Sequence, residues 1–157
     1  MKLIEASLKT CVSILRVESS SAPEFIDITD RVVEFVQRSE VQNGIAVVFS
    51  KHTTSAITIQ ENEPLLLQDM TTLLERISPR NAHYRHNDFS VRTVHMHENE
   101  CPNGHSHCQH LTLGSSETIP LLDGQLALGR WQRIFMVELD DKAPVPYREV
   151  LVQVMGV

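Results

Sequence analysis

The chain has 157 residues, of which 41% are hydrophobic and 22% charged, and its formal net charge is −6. These values predict a single globular domain over residues 1–157 with an ordinary hydrophobic core. No run of lysine and arginine offsets the acidic balance. This argues against a nucleic-acid partner, because duplex binding needs a basic face.

The cellular compartment is predicted from the apolar stretches and the cysteines. No stretch reaches the roughly 20 apolar residues of a membrane helix, so no membrane partner is expected. The first residues, 1–5, lack the apolar core of a signal peptide. The three cysteines are an odd number, which argues for free thiols. We therefore expect a cytoplasmic protein.

The first half of the chain is predicted to contain four strands and a helix. The strands are 12–17, 25–28, 45–50 and 56–60. Thr29 or Asp30 is predicted to cap the helix, because a short polar side chain can accept a bond from an unpaired amide. Asn43 and Gly44 are predicted to end it.

A second predicted helix begins at Pro64, which suits a first turn, and ends at Pro79. Its apolar residues recur at helical spacing and predict a core-facing stripe. They are Leu66, Met70, Leu73, Leu74 and Ile77. The following stretch, 81–109, is polar and rich in histidine. It is predicted to be a long ordered loop with a functional role.

The last third of the chain is predicted to be mostly β. Strands are expected at 111–113, 118–122, 125–128, 133–139 and 149–155. Asp123 and Gly124 predict a hairpin turn between two of them. The whole pattern predicts an α+β fold, with predominantly antiparallel sheets packed with about two to three helices.

Seven of the eight histidines lie between residues 83 and 110. His105 and His107 would share one side of an extended segment, where side chains alternate. Neutral imidazole is the commonest protein ligand for zinc, and three histidines with an open position form a catalytic site. The alternative is a set of solvated loop side chains. That alternative is preferred for His83, His95 and His97.

Other polar residues have both a functional and a structural interpretation. His52 follows a buried strand and could project into a site, or it could be a core histidine. Asp88 could be a ligand, a general base, the orienting partner of a histidine, or a simple loop aspartate. For Asn62 and Glu63, helix capping competes with a pocket role. Trp131 is preferred as a core or interface anchor.

The cysteines give a weaker signal. The spacing of Cys101 and Cys108 does not match the usual paired-cysteine zinc sites. Cys108 is predicted to be a buried apolar residue.

Four blocks of sequence resemble the YjbQ-like family and follow its order over nearly the whole chain. They are KHTTSAITIQENE at 51–63, YRHND at 84–88, NGHSH at 103–107, and the segment 116–132, which contains SETIP, DG, LG and WQ. The stretch from Phe89 to Pro102 is longer than in shorter family members. Its role stays open, as do those of Cys101, Cys108 and His110.

The resemblance implies a homotrimer with sites near the subunit boundaries. It also implies a pocket of three histidines distant in sequence, as metal ligands or catalytic residues: His52, His86 and His107. His105 is a further candidate metal ligand, and Asp88 a further catalytic candidate. The candidate cofactor-binding residues are Thr53, Asn62 and Gln132.

The activity implied by the resemblance is that of the secondary thiamine-phosphate synthases. These join a pyrimidine pyrophosphate to a thiazole phosphate and release pyrophosphate. We therefore expect a small phosphorylated molecule as partner and a divalent metal ion, zinc or magnesium, as cofactor. Two alternatives stay open, a non-catalytic trimer that binds a small ligand or metal, and a hydrolase. A redox or metal-storage role for the cysteines is weaker.

Overall fold

The computed structural model describes residues 7–143 and 145–157, so the predictions for residues 1–5 lie outside it. The strands of the described chain are β1 Lys9–Glu18, β2 Glu24–Asp27, β3 Gly44–Ser50, β4 Ser55–Gln60, β5 Ser116–Leu122, β6 Gln125–Leu126, β7 Arg133–Glu138 and β8 Tyr147–Gly156. Its helices are α1 Thr29–Ser39, α2 Pro64–Ile77 and α3 Gly104–Leu113, with a short 3₁₀ turn at Arg85–Asn87.

The strands form two sheets, and all their pairings are antiparallel. One sheet has the strand order β1-β8-β3-β5-β6, and the other β2-β7-β4. Antiparallel sheets with three helices confirm the predicted α+β class. Among the described residues, no helix is long and apolar enough to cross a membrane.

The layers are held together by two hydrophobic cores. The larger core joins the inner face of the five-stranded sheet to one face of the three-stranded sheet and to α1, through residues such as Val48, Met136 and Val32. The smaller core lies on the other face of the three-stranded sheet, where Phe135 and Val137 pack beside Leu74 of α2. Strand β7 is therefore buried on both faces, which explains its continuous apolar sequence.

The outer face of the five-stranded sheet carries an exposed apolar row among polar residues. Ile14, Leu151 and Phe49 lie side by side across β1, β8 and β3. Ile14 is 49% exposed and Phe49 40%, so this row of apolar side chains faces water in the single chain.

The hairpin turn after β5 and the start of β3 both depend on glycine. Asp123 and Gly124 both have positive φ, 50° and 73°, so the predicted hairpin turn is confirmed between β5 and β6. Gly44 does not end a helix, as predicted, but begins β3. A side chain there would collide with the Met155 carbonyl of β8, so the close approach of the two strands requires glycine.

The start and end of α1 differ from the prediction. The N-cap position is Ile28, which makes no side-chain cap bond, and Thr29 is the first helical residue. The Asp27 carboxylate accepts the amide of Thr29 instead. The helix ends at Ser39 because Glu40 adopts the left-handed conformation, with φ 58°.

Helix α2 begins at Pro64 as predicted, and Glu63 caps it by accepting the amides of Leu65 and Leu66. Its predicted core stripe is only partly correct. Leu74 is buried, whereas Leu73 and Ile77 are about half exposed.

Helix α3 is the element that the sequence pattern missed. Residues 104–109 were expected in a loop and 111–113 in a strand, but Gly104–Leu113 is one helix. Its buried side chains are polar rather than apolar: Ser106 donates to the Leu139 carbonyl, and Gln109 donates to the Ser78 carbonyl. A helix docked by hydrogen bonds has no hydrophobic period to reveal it.

Candidate functional site

Two of the predicted site histidines form a contact pair. His86 lies in the 3₁₀ turn and His107 in the first turn of α3, and their ring centroids are 4.7 Å apart in an edge-to-face arrangement. Burial and the neighbouring His86 lower the pKa of His107. His107 is therefore neutral at physiological pH, the form that can accept a proton or bind a metal.

The pair is held by the segments around it. Asn87 accepts the backbone N–H of Gly104 at 2.8 Å, which ties the 3₁₀ turn to the start of α3. A side chain at position 104 would collide with Tyr84, so glycine allows this contact. Asn103 donates to the Asp140 carboxylate at 2.8 Å, and Asp140 raises the pKa of His107 against the larger effect of burial.

The other two histidines of α3 lie elsewhere. Residues two apart on a helix differ by about 200° in direction, so His105 and His107 do not share a side as they would on a strand. His105 is 5% exposed and bonds Ser106, and burial lowers its pKa. His110 bonds the Ser115 hydroxyl at 3.1 Å, and burial lowers its pKa as well.

Among the described residues, His52 does not form a metal-holding group with the pair. It follows β3, and its Nε2 accepts the backbone N–H of Glu149 at 2.8 Å. The charges that act on it come from Arg148, Glu138, Glu149 and Lys51, and burial is the main reason that its pKa is lowered. Because Nε2 accepts a bond, the neutral ring carries its proton on Nδ1 and presents a donor there.

The imidazole nitrogens of His86 and His107 suit a transition metal, but they provide only two ligands. Among the described residues, no group of three or more His, Cys, Asp or Glu side chains is placed to hold a metal ion. A single chain thus offers two adjacent imidazoles where three protein ligands are usual for catalytic zinc.

The remaining predicted site residues make local contacts. Asp88 accepts the amide and hydroxyl of Ser90, which lower its pKa and close the turn after Asn87. Gln132 accepts the amide of Gly129 at 2.7 Å. Thr53 is exposed. These observations do not connect Thr53 or Gln132 with the pair of His86 and His107.

Asn62 belongs to a separate polar network. Its amide donates to Asp27 at 2.9 Å, and Arg133 donates to the same carboxylate oxygen at 2.7 Å. Burial alone would raise the pKa of Asp27, but hydrogen bonds from Arg133, Thr29 and Asn62 outweigh it and hold the pKa below its ordinary value.

Replacing Asp27 with asparagine is expected to remove part of the acid sensitivity of the fold. A lowered carboxyl pKa contributes stability that is present above the unfolded value, about 3.9, and is lost as the pH falls through the lower folded value. Urea unfolding should show that the advantage of the wild type over Asp27→Asn shrinks between pH 5 and acid. The control is Asp30→Asn, whose exposed ion pair with Arg133 is worth little. An advantage that is constant with pH would contradict the linkage.

Three residues of this region were not predicted from the sequence. Glu138 and Arg148 form a buried ion pair, and Asp140 is 5% exposed beside the start of α3. Glu138 accepts the amides of Leu139 and Asp140, so the pair also positions Asp140. The sequence did place a charge at the end of β7 and another at the start of β8. Burying such charges is costly unless they are paired, which could have indicated the ion pair.

The aromatic and cysteine predictions have mixed outcomes. All three cysteines are free, as predicted. Cys108 is exposed rather than buried, because it lies on the solvent side of α3. Trp131 is 61% exposed and stacks on the Arg130 guanidinium, so it is not a core anchor in this chain. His83, His95 and His97 are exposed, as expected of solvated side chains.

The chain is similar to proteins of one family along most of its length. A family model described as UPF0047 protein YjbQ-like matches residues 13–157. A UPF0047 protein of Methanothermobacter thermautotrophicus is 41% identical over 126 residues, which cover 80% of each chain. The UPF0047 protein YugU of Bacillus subtilis is 32% identical over 127 residues, covering 80% of this chain and 87% of that protein.

Solved structures share the fold. A crystal structure of a YbjQ-like protein of unknown function from Sulfolobus solfataricus matches with a TM-score of 0.85 and 30% identity, over 96% of this chain and 100% of that one. A YjbQ/UPF0047 family protein of Clostridium acetobutylicum matches with a TM-score of 0.76 and 33% identity, over 90% of this chain and 98% of that one.

Proposed function

Since the chain belongs to the UPF0047 YjbQ-like family, we propose that it is an enzyme that acts on small phosphorylated molecules with a divalent metal ion. The observation that carries the proposal is the contact pair of His86 and His107, with ring centroids 4.7 Å apart. A pair of half-buried imidazoles is the arrangement that binds a transition metal or transfers a proton.

His86 and His107 would hold the ion, which when bound would supply positive charge against the phosphate groups of the substrate. His107, whose pKa burial lowers, would offer the ion a neutral imidazole nitrogen. The charge of Asp140 acts on the same ring and partly offsets the lowering of its pKa. His52 would contribute its Nδ1–H as a donor to a phosphate oxygen.

The finer proposal is thiamine-phosphate synthase-type chemistry, in which pyrophosphate leaves a pyrimidine as a thiazole phosphate is joined to it. That reaction needs charge neutralisation at the leaving group more than an activated water. A pair of histidines with an ion meets this need, and the same pair would also serve a hydrolase. The released products distinguish the two.

We also propose that three copies assemble through the outer face of the five-stranded sheet, defined by Ile14, Phe49 and Leu151. These side chains form one row across three strands, and an exposed apolar row of this kind is stabilised when a second copy covers it. His52 lies three residues after Phe49. A neighbour seated on this face would therefore lie close to His52, which supports a site completed between chains.

The test is a zinc titration of the full chain by calorimetry, followed by a thiamine-phosphate assay with zinc or magnesium. We expect the wild type to bind about one ion per chain, and His107→Ala to lose about 100-fold or more in affinity and turnover. The control is His83→Ala, which removes an exposed histidine of the same type and is expected to change neither value.

The other outcomes separate the alternatives. Full turnover by a zinc-free His107→Ala protein would overturn the role of the pair. Zinc binding that depends on His107 without turnover of either phosphorylated ring would overturn the enzyme proposal and favour a binding protein. Release of phosphate or pyrophosphate without a joined product would favour the hydrolase.

A further inference from the structure

The loop between the two histidine-bearing segments exposes several apolar side chains. Residues 88–103 join the 3₁₀ turn of His86 to helix α3 of His107 without a helix or strand of their own. Four apolar side chains within residues 89–96 are 36–63% exposed: Phe89, Val91, Val94 and Met96. A long loop with so many exposed apolar side chains is typical of a surface that contacts another molecule.

The loop is held in shape by an internal ion pair. Arg92 binds Glu100 at 2.9 Å, and their side chains are 16% and 14% exposed. Arg92 also donates to the His95 carbonyl at 3.0 Å. Because Arg92 is the only lysine, arginine, aspartate or glutamate of residues 89–96, the ion pair leaves the exposed part of the loop without a full charge. Depletion of charge is typical of the centre of a protein interface.

The loop lies beside the histidine pair. Phe89 follows His86 by three residues, and the charge of Arg92 acts on the ring of His107. The other end of the loop is fixed at the start of α3, where Asn103 donates to Asp140 at 2.8 Å. A molecule seated on the loop is therefore close to two imidazoles, one ligand short of the three that are usual for catalytic zinc.

A ring of three copies needs two different contact surfaces on each chain. Each interface of a cyclic trimer is heterologous, so the surface that a chain offers to one neighbour differs from the surface that it offers to the other. The proposed assembly uses the sheet row of Ile14, Phe49 and Leu151 as one of them. The loop of residues 89–96 fits the second, because it is apolar, exposed and braced from within.

We propose that the loop of residues 89–96 of one copy docks on the sheet row of the next copy, and that this contact brings the next copy's His52 to the His86–His107 pair. His52 follows Phe49 of the row by three residues, just as Phe89 of the loop follows His86. Joining the two surfaces therefore gathers three imidazoles. The docking rests on the proposed function, in which three copies assemble and the pair holds an ion.

Light scattering during gel filtration of charge variants tests the docking. Val94→Asp is expected to give single chains, as is Phe49→Asp, because either carboxylate would be buried in the contact without a partner. Val94 is 63% exposed in the single chain, so the circular dichroism spectrum should not change. The matched control is Leu65→Asp, since Leu65 is 67% exposed on α2 and belongs to neither surface. It should keep three chains.

An equimolar mixture of Val94→Asp and Phe49→Asp shows which surfaces meet. Each variant alone has only one intact surface, but the mixture can join the intact loop of Phe49→Asp to the intact row of Val94→Asp. We expect a complex of two chains that grows no further and binds about one zinc ion as tightly as a wild-type site. Adding His52→Ala to the Val94→Asp chain should weaken this zinc binding by at least about tenfold and leave the mass of the complex unchanged.

The outcomes separate the docking from the proposed function. A Val94→Asp protein that keeps three chains, or a mixture that forms no complex of two chains, would overturn the docking and leave the role of the His86–His107 pair standing. A complex of two chains whose zinc affinity does not depend on His52 would overturn the completion of the site. A wild type that is already a single chain would overturn the assembly as well as the docking.

Discussion

Replacing Arg148 with methionine is expected to lower the free energy of unfolding by about 3–5 kcal/mol. The side chain is 6% exposed and its partner Glu138 is 2% exposed, with two contacts of 2.7 Å between guanidinium and carboxylate. Methionine keeps much of the volume but leaves Glu138 buried without a countercharge. The loss of the partner, rather than the strength of the bond, sets the size of the effect.

Urea unfolding at neutral pH measures this loss. The control is Arg38→Met, whose partner Glu34 and own side chain are both largely exposed, so a change within about 0.5 kcal/mol is expected. The double variant Glu138→Leu with Arg148→Met should recover part of the stability because no charge remains buried. Recovery is incomplete, since Glu138 also accepts two backbone amides and the Ser19 hydroxyl. A loss below about 1 kcal/mol for Arg148→Met would contradict a fully desolvated pair.

The buried pair of Glu138 and Arg148 also connects the segment of His52 with Asp140. Arg148 donates to Thr54, two residues after His52, and Glu138 accepts the amide of Asp140. Asp140 in turn lies beside the start of α3 through its bond to Asn103. Loosening the pair would therefore disturb His52 at one end and Asp140 at the other, even though neither ion is in contact with His107.

Strands such as β8 could be predicted from sequence because they bury an apolar face that repeats every two residues, whereas β7 is recognised by its continuous apolar sequence. Strand β8 alternates between buried and half-buried positions from Tyr147 to Gly156, as its sequence pattern indicated. Helix α3 could not be predicted in this way, because Ser106 and Gln109 dock it through hydrogen bonds to distant backbone carbonyls. Such partners are set by the tertiary fold and leave no local period in the sequence.

The site could be predicted in part, from its resemblance to the family. The family blocks identified His86 and His107, and the structure brings these two together. The expected common side for His105 and His107 depended on an extended backbone and is wrong on a helix. The gathering of His52 with the pair stays a prediction, since one chain does not contain the neighbour that would complete it.

Replacing Phe49 with aspartate is expected to convert the proposed trimer into single chains. Phe49 lies on the outer face of the central strand β3, in register with Leu151 and, across β8, with Ile14. If a second copy covers this row, an aspartate at position 49 is buried without a partner for its charge. The free-energy cost of burying that carboxylate exceeds the gain from burying one phenylalanine. In the isolated chain the same side chain is 40% exposed, so the fold itself should tolerate the charge.

Light scattering during gel filtration measures the mass directly. We expect three chains for the wild type and one chain for Phe49→Asp, with a far-ultraviolet circular dichroism spectrum that does not change. The matched control is Leu111→Asp, because Leu111 is an apolar residue of α3 that is 84% exposed and lies off the sheet face. A wild type that is already monomeric, or a Phe49→Asp protein that keeps its mass, would show that this face is not the interface. If Phe49→Asp is monomeric and also loses turnover while the His86–His107 pair is intact, the site is completed by a neighbouring chain, and His52 is the residue placed to complete it.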